Sequence, residues 1–223
     1  GTPLNTIFLI LNKLLKEKKL KEDKNIVKDI ILLKSQAERC KEILQRFSKN
    51  PLNLKDKFLD KVKISKVVLF ASTHPKEEKI ITNIFHELKD QHKSLIFIIA
   101  PRHPHRGNKI FSMINRQKYK AILRSKSRKI PSDTDFYISD TVGEMGTLFR
   151  ISPISIICGS FVNIGGHNPI EAAKLKSSII IGPYYDNFKE IYKFLDKLKI
   201  SKKVRNSHQL SIRLNKLLFK KQS

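Results

Sequence analysis

The chain has 223 residues, 40% of them hydrophobic, which is enough to bury a substantial core. Its 45 basic and 20 acidic residues give a net charge of +25 at pH 7, but the basic residues are spread along the chain. This spread argues against a specific nucleic-acid site and favours a basic surface that faces an anionic nucleotide or an anionic membrane surface. Cys40 and Cys158 match no metal-binding or redox spacing, which favours a reducing compartment.

Residues 1–49 are predicted to form a helical hairpin. Apolar residues recur at helical spacing in two runs, 4–15 and 26–47, and a lysine-rich stretch separates the runs. So narrow an apolar stripe usually packs against another helix. Residues 4–47 are therefore a candidate dimerisation surface.

The hairpin resembles a known signalling element. Residues 1–4, Gly-Thr-Pro-Leu, followed by residues 36–44, Gln-Ala-Glu-Arg-Cys-Lys-Glu-Ile-Leu, resemble the dimerisation hairpin of redox-responsive sensor histidine kinases of the RegB and PrrB kind. The resemblance implies that the phosphorylated histidine would stand before Gly1, so it is absent from this sequence. We expect a linker over residues 50–66, where lysine and aspartate alternate after an Asn-Pro pair.

From residue 67 to residue 223 the sequence predicts a second domain, because short apolar runs alternate with helical patterns. This alternation predicts an α/β fold with a Rossmann-like, doubly wound parallel sheet. The predicted strands are 67–71, 95–100, 136–138, 154–158 and 178–181. The predicted helices are 77–89, 168–175, 188–198 and 208–220. No apolar run approaches the roughly 18 residues of a membrane span, so we expect no membrane anchor in this sequence.

Five loops follow the predicted strands, and each carries residues suited to an anionic ligand. Their sequences are Ser-Thr-His at 72–74, Pro-Arg-His-Pro-His-Arg at 101–106, Asp-Thr-Val-Gly-Glu-Met-Gly at 140–146, Gly-Gly-His-Asn-Pro-Ile-Glu at 165–171 and Gly-Pro-Tyr-Tyr-Asp-Asn-Phe at 182–188. The carboxyl ends of parallel strands share one edge, where helix N-termini also present N–H groups. The five loops therefore predict a nucleotide site, although no Walker sequence or Gly-x-Gly-x-x-Gly fingerprint is present.

Each residue type has a definite chemical use at such a site. Arg102 and Arg106 can present forked donors to a phosphate. Gly165 and Gly166 would let the backbone approach the ligand closely, and Glu171 can accept two ribose hydroxyls. The alternatives remain open at this point: a solvated basic loop, capping residues and a carboxylate that the helix dipole favours. The aromatic residues of 182–188 either wall the pocket or pack against the next helix.

Taken together, these five motifs resemble the C-terminal half of the Kdo (3-deoxy-D-manno-octulosonic acid) transferases, over about residues 67–220. The resemblance implies the C-terminal domain of a GT-B glycosyltransferase of lipopolysaccharide assembly, with CMP-Kdo as donor, a lipid A precursor as acceptor and inversion at the sugar. It implies no cofactor. It also implies a location at the cytoplasmic face of the bacterial inner membrane.

The resemblance further implies which residues contact CMP. These are Pro101, Arg102, Val142, Gly143, Glu144, Asn168, Pro169, Ile170 and Glu171. Additional candidates are Ser72, Thr73, His103, Arg106, Gly165, Gly166 and His167. Val142 departs from the methionine of the family, and residues 161–164 depart from its glycine-rich version.

Members of this family also have an N-terminal domain that binds the acceptor and supplies the general base. This sequence has the kinase-like hairpin at that place, so we expect a fragment or a fusion that is inactive alone. The alternatives from other classes are a signalling fragment that dimerises through the hairpin and a general binder of polyanions, whose binding would be sensitive to salt.

Overall fold

The computed structural model describes residues 66–219, all of which belong to the second of the two units into which the chain divides, Asn53–Ser223. The strands are β1 (Lys66–Thr73), β2 (Leu95–Pro101), β3 (Ala121–Leu123), β4 (Phe136–Ile138), β5 (Ile154–Ile157), β6 (Ser178–Ile181) and β7 (Ser201–Lys203). The α-helices are α1 (Glu77–Lys89), α2 (Gly107–Arg116), α3 (Met145–Ile151), α4 (Ile170–Lys174), α5 (Lys189–Lys197) and α6 (Ser207–Phe219). Short 3-10 turns at Pro104–Arg106 and Asp186–Phe188 precede α2 and α5.

The seven strands of this domain form one parallel sheet in the order β3-β4-β2-β1-β5-β6-β7. From β1 the chain forms β2 beside it and β3 at the edge of the sheet, and then returns to place β4 between β3 and β2. It then crosses to β5 on the other side of β1 and continues outward through β6 to β7. The direction of winding reverses between β1 and β5, where Val68 to Ala71 pair with Ile154 to Ile157. Ligands of open parallel sheets bind at the carboxyl ends of the strands beside such a reversal.

Two apolar layers cover the two faces of the sheet. Alternate residues of the central strands, such as Phe97 and Ile98, point to opposite layers. Helices α1, α2 and α6 contribute buried residues to the first layer, and α3, α4 and α5 contribute to the second. The predicted Rossmann-like fold is therefore confirmed, because every central strand is buried on both faces as a doubly wound sheet requires.

Two edge strands, β3 and β7, and two helices, α2 and α3, have no counterpart among the predicted ranges. Strand β7 reads Ser-Lys-Lys and β3 has three residues, so neither produces the apolar run by which the central strands are recognised. Helix α2 follows directly on the basic loop of residues 101–106. Lys66 opens β1, whereas the prediction assigns it to the linker.

The predicted hairpin 1–49, its dimerisation through residues 4–47 and the rest of the linker lie outside the described residues. Within residues 66–219, no helix is long and apolar enough to cross a membrane.

Candidate nucleotide-binding site

The loops that follow β1, β2 and β5 are joined by backbone hydrogen bonds at the carboxyl edge of the sheet. The Arg102 N–H donates to the Thr73 carbonyl at 3.0 Å, and the Cys158 N–H donates to the Ala71 carbonyl at 2.9 Å. Ser72 lies between these contacts with a φ of 60°, at a break in the pairing of β1 with β2. A serine in this left-handed conformation is strained, and such strain is commonest at functional sites.

Glu77, the first residue of α1, holds the β5 loop against the β1 loop. Its carboxylate accepts hydrogen bonds from the backbone N–H groups of Gly159 at 2.9 Å, His74 at 2.9 Å and Phe161 at 3.1 Å. Burial raises the pKa of Glu77, and these hydrogen bonds oppose the rise. Glu77 is 1% exposed, so its role in the site is to hold the two loops together.

Arg106 forms a forked ion pair with Glu78. Its two terminal nitrogens lie 2.8 and 3.0 Å from the two carboxylate oxygens, and the first also donates to the Thr73 carbonyl at 3.2 Å. The Thr73 hydroxyl donates to the same carboxylate at 2.8 Å. The donors predicted to bind a phosphate are thus already used within the protein, which makes Thr73 and Arg106 structural residues in this geometry.

Arg102 has a different environment, although it lies only four residues earlier. It is exposed, and its side chain forms no hydrogen bond or ion pair with another residue between 66 and 219. Its charge helps to lower the pKa of both His74 and His167, after burial and the neighbouring histidines. The Arg102 guanidinium therefore lies beside the strand reversal, where it is exposed to solvent and available to an anion. Pro101, the last residue of β2, is buried beneath it.

His74 and His167 meet above the carboxyl ends of β1 and β5. Their Nε2 atoms are 2.8 Å apart, and their rings stack with centroids separated by 5.1 Å. His103 contacts the pair from one side, with its ring edge-on to His74 at 6.3 Å. In the described part of the chain no cluster of three or more potential ligands is placed to hold a metal ion. His167 is one of the predicted site residues, whereas its partner His74 is not among them.

Glu144 lies at the N-terminus of α3 and is bound by Arg124. The guanidinium donates to the carboxylate at 2.6 and 3.2 Å, and the Thr141 hydroxyl donates to the other carboxylate oxygen. Arg124 follows the short edge strand β3 and is not among the predicted site residues. Between Thr141 and Glu144, Val142 is 82% exposed and Gly143 has a φ of 85°, so this turn projects into solvent.

Gly165 and Gly166 are buried, and the neighbour that approaches them closely is the β6–α5 loop. A Cβ on Gly165, whose φ is 90°, would lie 2.6 Å from the Asn187 amide nitrogen. A Cβ on Gly166 would lie 3.3 Å from the Tyr184 carbonyl. The expectation that these glycines admit a ligand is therefore replaced by a packing role, because the space beside them is filled by this loop.

The Asn-Pro-Ile-Glu run turns the chain into α4. The Asn168 side-chain oxygen accepts the Ile170 N–H at 3.0 Å, and Pro169 is buried just before the helix begins. Ile170 is 38% exposed. The Glu171 carboxylate accepts no hydrogen bond from residues 66–219, and burial raises its pKa against the opposing charges of Arg150 and Lys174. Glu171 therefore retains its acceptor oxygens for a ligand.

The aromatic residues of the last loop have separate uses. Tyr185 packs edge-on against Tyr192 of α5, with ring centroids 5.7 Å apart, and Lys203 lies over its other face. Tyr184 is 40% exposed. The loop thus packs against the following helix through Tyr185 and leaves Tyr184 toward solvent.

The chain is similar in sequence to several 3-deoxy-D-manno-octulosonic acid transferases. It is 34% identical over 177 residues to the 3-deoxy-D-manno-octulosonic acid transferase of Rickettsia conorii, which is 78% of this chain and 38% of the relative. It is 32% identical over 155 residues to the enzyme of the same name from Haemophilus influenzae, which is 66% of this chain and 36% of the relative. The chain therefore corresponds to little more than a third of these relatives. No protein-family model matches it.

The fold has a solved counterpart. The C-terminal CMP-Kdo binding domain of WaaA from Acinetobacter baumannii superposes with a TM-score of 0.71 and 26% identity, over 78% of this chain and 90% of that domain. These comparisons give the sensor-kinase resemblance of residues 1–49 no support. Through its parallel-sheet domain, the chain is a homologue of the Kdo transferases, a group of glycosyltransferases.

Proposed function

We propose that the parallel-sheet domain binds CMP-Kdo and that the chain serves the transfer of Kdo to a lipid A precursor in lipopolysaccharide assembly. The main observation in favour of a donor site is Arg102, which lies beside the strand reversal. Its side chain is exposed and has no partner among the described residues. A phosphate at this place would meet the only one of the two arginines in the 101–106 loop whose donors are unused.

The other proposed contacts of the nucleotide come from the loops after β4 and β5, at the same edge of the sheet. Glu171 has carboxylate oxygens able to accept ribose hydroxyls, and the exposed Val142–Gly143 turn offers an apolar surface and a backbone free of side-chain crowding. Glu144 fixes that turn through Arg124. The resemblance assigns these residues to CMP, and the exposure of Val142 and Gly143 supports the assignment.

The acceptor and the location of the reaction belong to the same proposal. A lipid A precursor is a membrane lipid, so transfer would take place at the cytoplasmic face of the inner membrane. The net charge of +25 suits a protein that works beside anionic lipid. The proposal requires no cofactor, since the donor is an activated sugar.

Calorimetric titration of the 223-residue chain with CMP tests the donor site. We expect binding to wild type and a loss of about tenfold or more in affinity for Arg102→Ala, since a charge-assisted hydrogen bond contributes roughly 1.5–3 kcal/mol. Arg116→Ala is the matched control, because Arg116 is an exposed arginine at the opposite end of α2. Equal affinities for wild type and Arg102→Ala would contradict the assignment.

A further inference from the structure

Two loops far apart in sequence each contribute one histidine to a shared hydrogen bond. The contact joins the Nε2 atoms of His74 and His167 at 2.8 Å, and the ring planes differ by 9°. One nitrogen donates and the other accepts, so at least one of the two rings is neutral. Because the Nε2 atoms face each other, both Nδ1 atoms remain for other partners.

The surrounding backbone leaves space for this contact. Gly159 has a φ of 70°, and a Cβ there would lie 3.0 Å from Nε2 of His167 and 3.4 Å from Cδ2 of His74. Glu77 holds the Gly159 N–H, and the Tyr192 hydroxyl donates to the His167 carbonyl at 2.9 Å. Groups on α1, on the β5 loop and on α5 therefore position the pair.

The charged and titratable groups that face the pair are of two kinds. Groups of the first kind already have an ion-pair or hydrogen-bond partner; they are Glu77, the ion pair of Glu78 with Arg106, and Tyr192. The second kind comprises Arg102 and His103 on the loop after β2. Burial and the positive neighbours lower the pKa of His74, and burial, His74 and Arg102 lower the pKa of His167 to about 4.

We propose that the His74–His167 pair belongs to the anion site beside Arg102 and binds a proton more strongly when a phosphate-bearing ligand occupies that site. The inference rests on the proposed function in one respect, that CMP brings the phosphate. The ligand's negative charge offsets that of Arg102, so a proton on the pair costs less in the complex than in the free chain. The proton comes from solvent and no covalent bond changes.

Protonation also gives the pair a binding function. The singly protonated pair keeps its shared Nε2 hydrogen bond and has an Nδ1–H donor on each ring. These donors lie on the side chains that already face Arg102. The pair therefore carries more positive charge in the complex than in the free chain, where Arg102 already supplies a cation without a compensating anion.

The first test uses wild-type chain and inorganic phosphate. Imidazole resonances are followed by NMR over about pH 4 to 8. We expect phosphate to raise the apparent pKa of the pair by about one unit, which is typical of an opposite charge nearby. An apparent pKa that phosphate leaves unchanged would overturn the inference, whatever the behaviour of any variant.

The second test is calorimetry with CMP in buffers of different ionisation enthalpy. His105→Gln is the control, because His105 is exposed, stacks on His103 at 5.7 Å and does not contact the pair. We expect wild type and His105→Gln to take up roughly half a proton more than His167→Gln near pH 4.5, midway between the free-chain pKa of about 4 and a bound value about one unit higher. Their affinity advantage should then grow about threefold for each unit by which the pH is lowered. Equal proton uptake by all three would overturn the inference.

The two tests separate this inference from the proposed function. Titration of the CMP phosphate itself is common to the three proteins and disappears from their difference. Should CMP fail to bind wild type, the proposed function fails, and the phosphate titration still decides the role of the pair. Should CMP bind through Arg102 without extra proton uptake by the pair, the proposed function stands and the inference does not.

Discussion

Charged residues at the carboxyl edge of the sheet form two layers that differ in how their charges are satisfied. In the buried layer, Glu77, Glu78 and Arg106 are bound by one another or by backbone groups. In the exposed layer, Arg102 makes no side-chain hydrogen bond within residues 66–219. The Glu171 carboxylate is half-buried and also accepts none there. Residues of one motif therefore separate into those that build the site and those that face the ligand.

The physical reason for this separation is the cost of burying charge. A buried ion must be paired and hydrogen-bonded, since otherwise the free energy lost on dehydrating the ion exceeds the free energy gained by packing. An exposed cation keeps its water and needs no partner, so it remains able to exchange that water for a phosphate. Arg102 and Arg106, four residues apart in one loop, show both outcomes.

The largest expected effect comes from breaking the buried layer at Arg106. Arg106→Ala leaves the Glu78 carboxylate buried without its counter-ion, and Glu78 is 3% exposed. We expect a loss of about 3 kcal/mol in the free energy of unfolding, measured by urea titration. Arg102→Ala should change the same quantity by less than about 0.5 kcal/mol. Similar losses from the two substitutions would show that the two layers are not distinct.

A second effect tests whether Glu77 acts through its hydrogen bonds. Glu77→Gln removes one of two acceptor oxygens and places an NH2 group against backbone N–H donors, so we expect a loss of about 2 kcal/mol in unfolding free energy. Glu190→Gln is the matched control, because Glu190 pairs with Lys193 on the surface of α5. That change should cost less than about 0.5 kcal/mol. A small effect at Glu77 would mean that the β5 loop is held by other contacts.

The fold was predictable wherever burial determines the pattern of apolar residues in the sequence. The central strands are buried on both faces and therefore appear as continuous apolar runs. The edge strand β7, Ser-Lys-Lys, is half exposed and contributes only backbone pairing, which composition does not reveal.

The candidate site was predictable as a set of loops but not as a set of contacts. Strand ends in a parallel sheet share an edge, so local patterns locate the motifs. Which residues meet depends on the packing of loops distant in sequence, as in the pairs His74–His167 and Arg124–Glu144. The same limit explains Gly165, whose conformation suits a ligand as well as it suits the Asn187 side chain that occupies the space.

A smaller effect is expected from acid. The folded-state pKa of His167 is about 4, below its usual 6.5, so between these values the unfolded chain binds more protons than the folded chain. The contribution of His167 to stability is therefore complete above about pH 6.5 and is lost as the pH falls toward 4. Since His167 is only half-buried, we expect roughly 1 kcal/mol after solvent screening.

Urea titrations at several pH values measure this loss. His167→Gln should show a shallower decline between about pH 6.5 and 4 than wild type. His105→Gln, which changes an exposed histidine in the loop after β2, should decline as wild type does. Parallel curves for wild type and His167→Gln would contradict the prediction. The raised pKa of Glu77 acts in the opposite direction, because the folded state then binds the extra proton.

The smallest expected effect on stability comes from Asn168→Asp in the exposed layer. Asp keeps the oxygen that accepts the Ile170 N–H at 3.0 Å, so the turn into α4 should be preserved and unfolding should change by less than about 0.5 kcal/mol. The same change adds a negative charge where the proposed nucleotide lies. We therefore expect CMP affinity to fall about two- to fivefold, equivalent to about 0.3–1 kcal/mol for a charge at a partly exposed site.

Asn168→Ala provides the complementary comparison, because Ala removes the acceptor without adding charge. If Asn168 serves only the turn, Ala should be the more damaging substitution in both urea titration and CMP calorimetry. If it also lies beside the nucleotide, Ala should weaken folding more than Asp does, while Asp should weaken CMP binding more than its effect on folding explains. Loss of affinity for Asp that disappears at high salt would identify the cause as charge, since salt screens exposed charges over distances of about 10 Å or less.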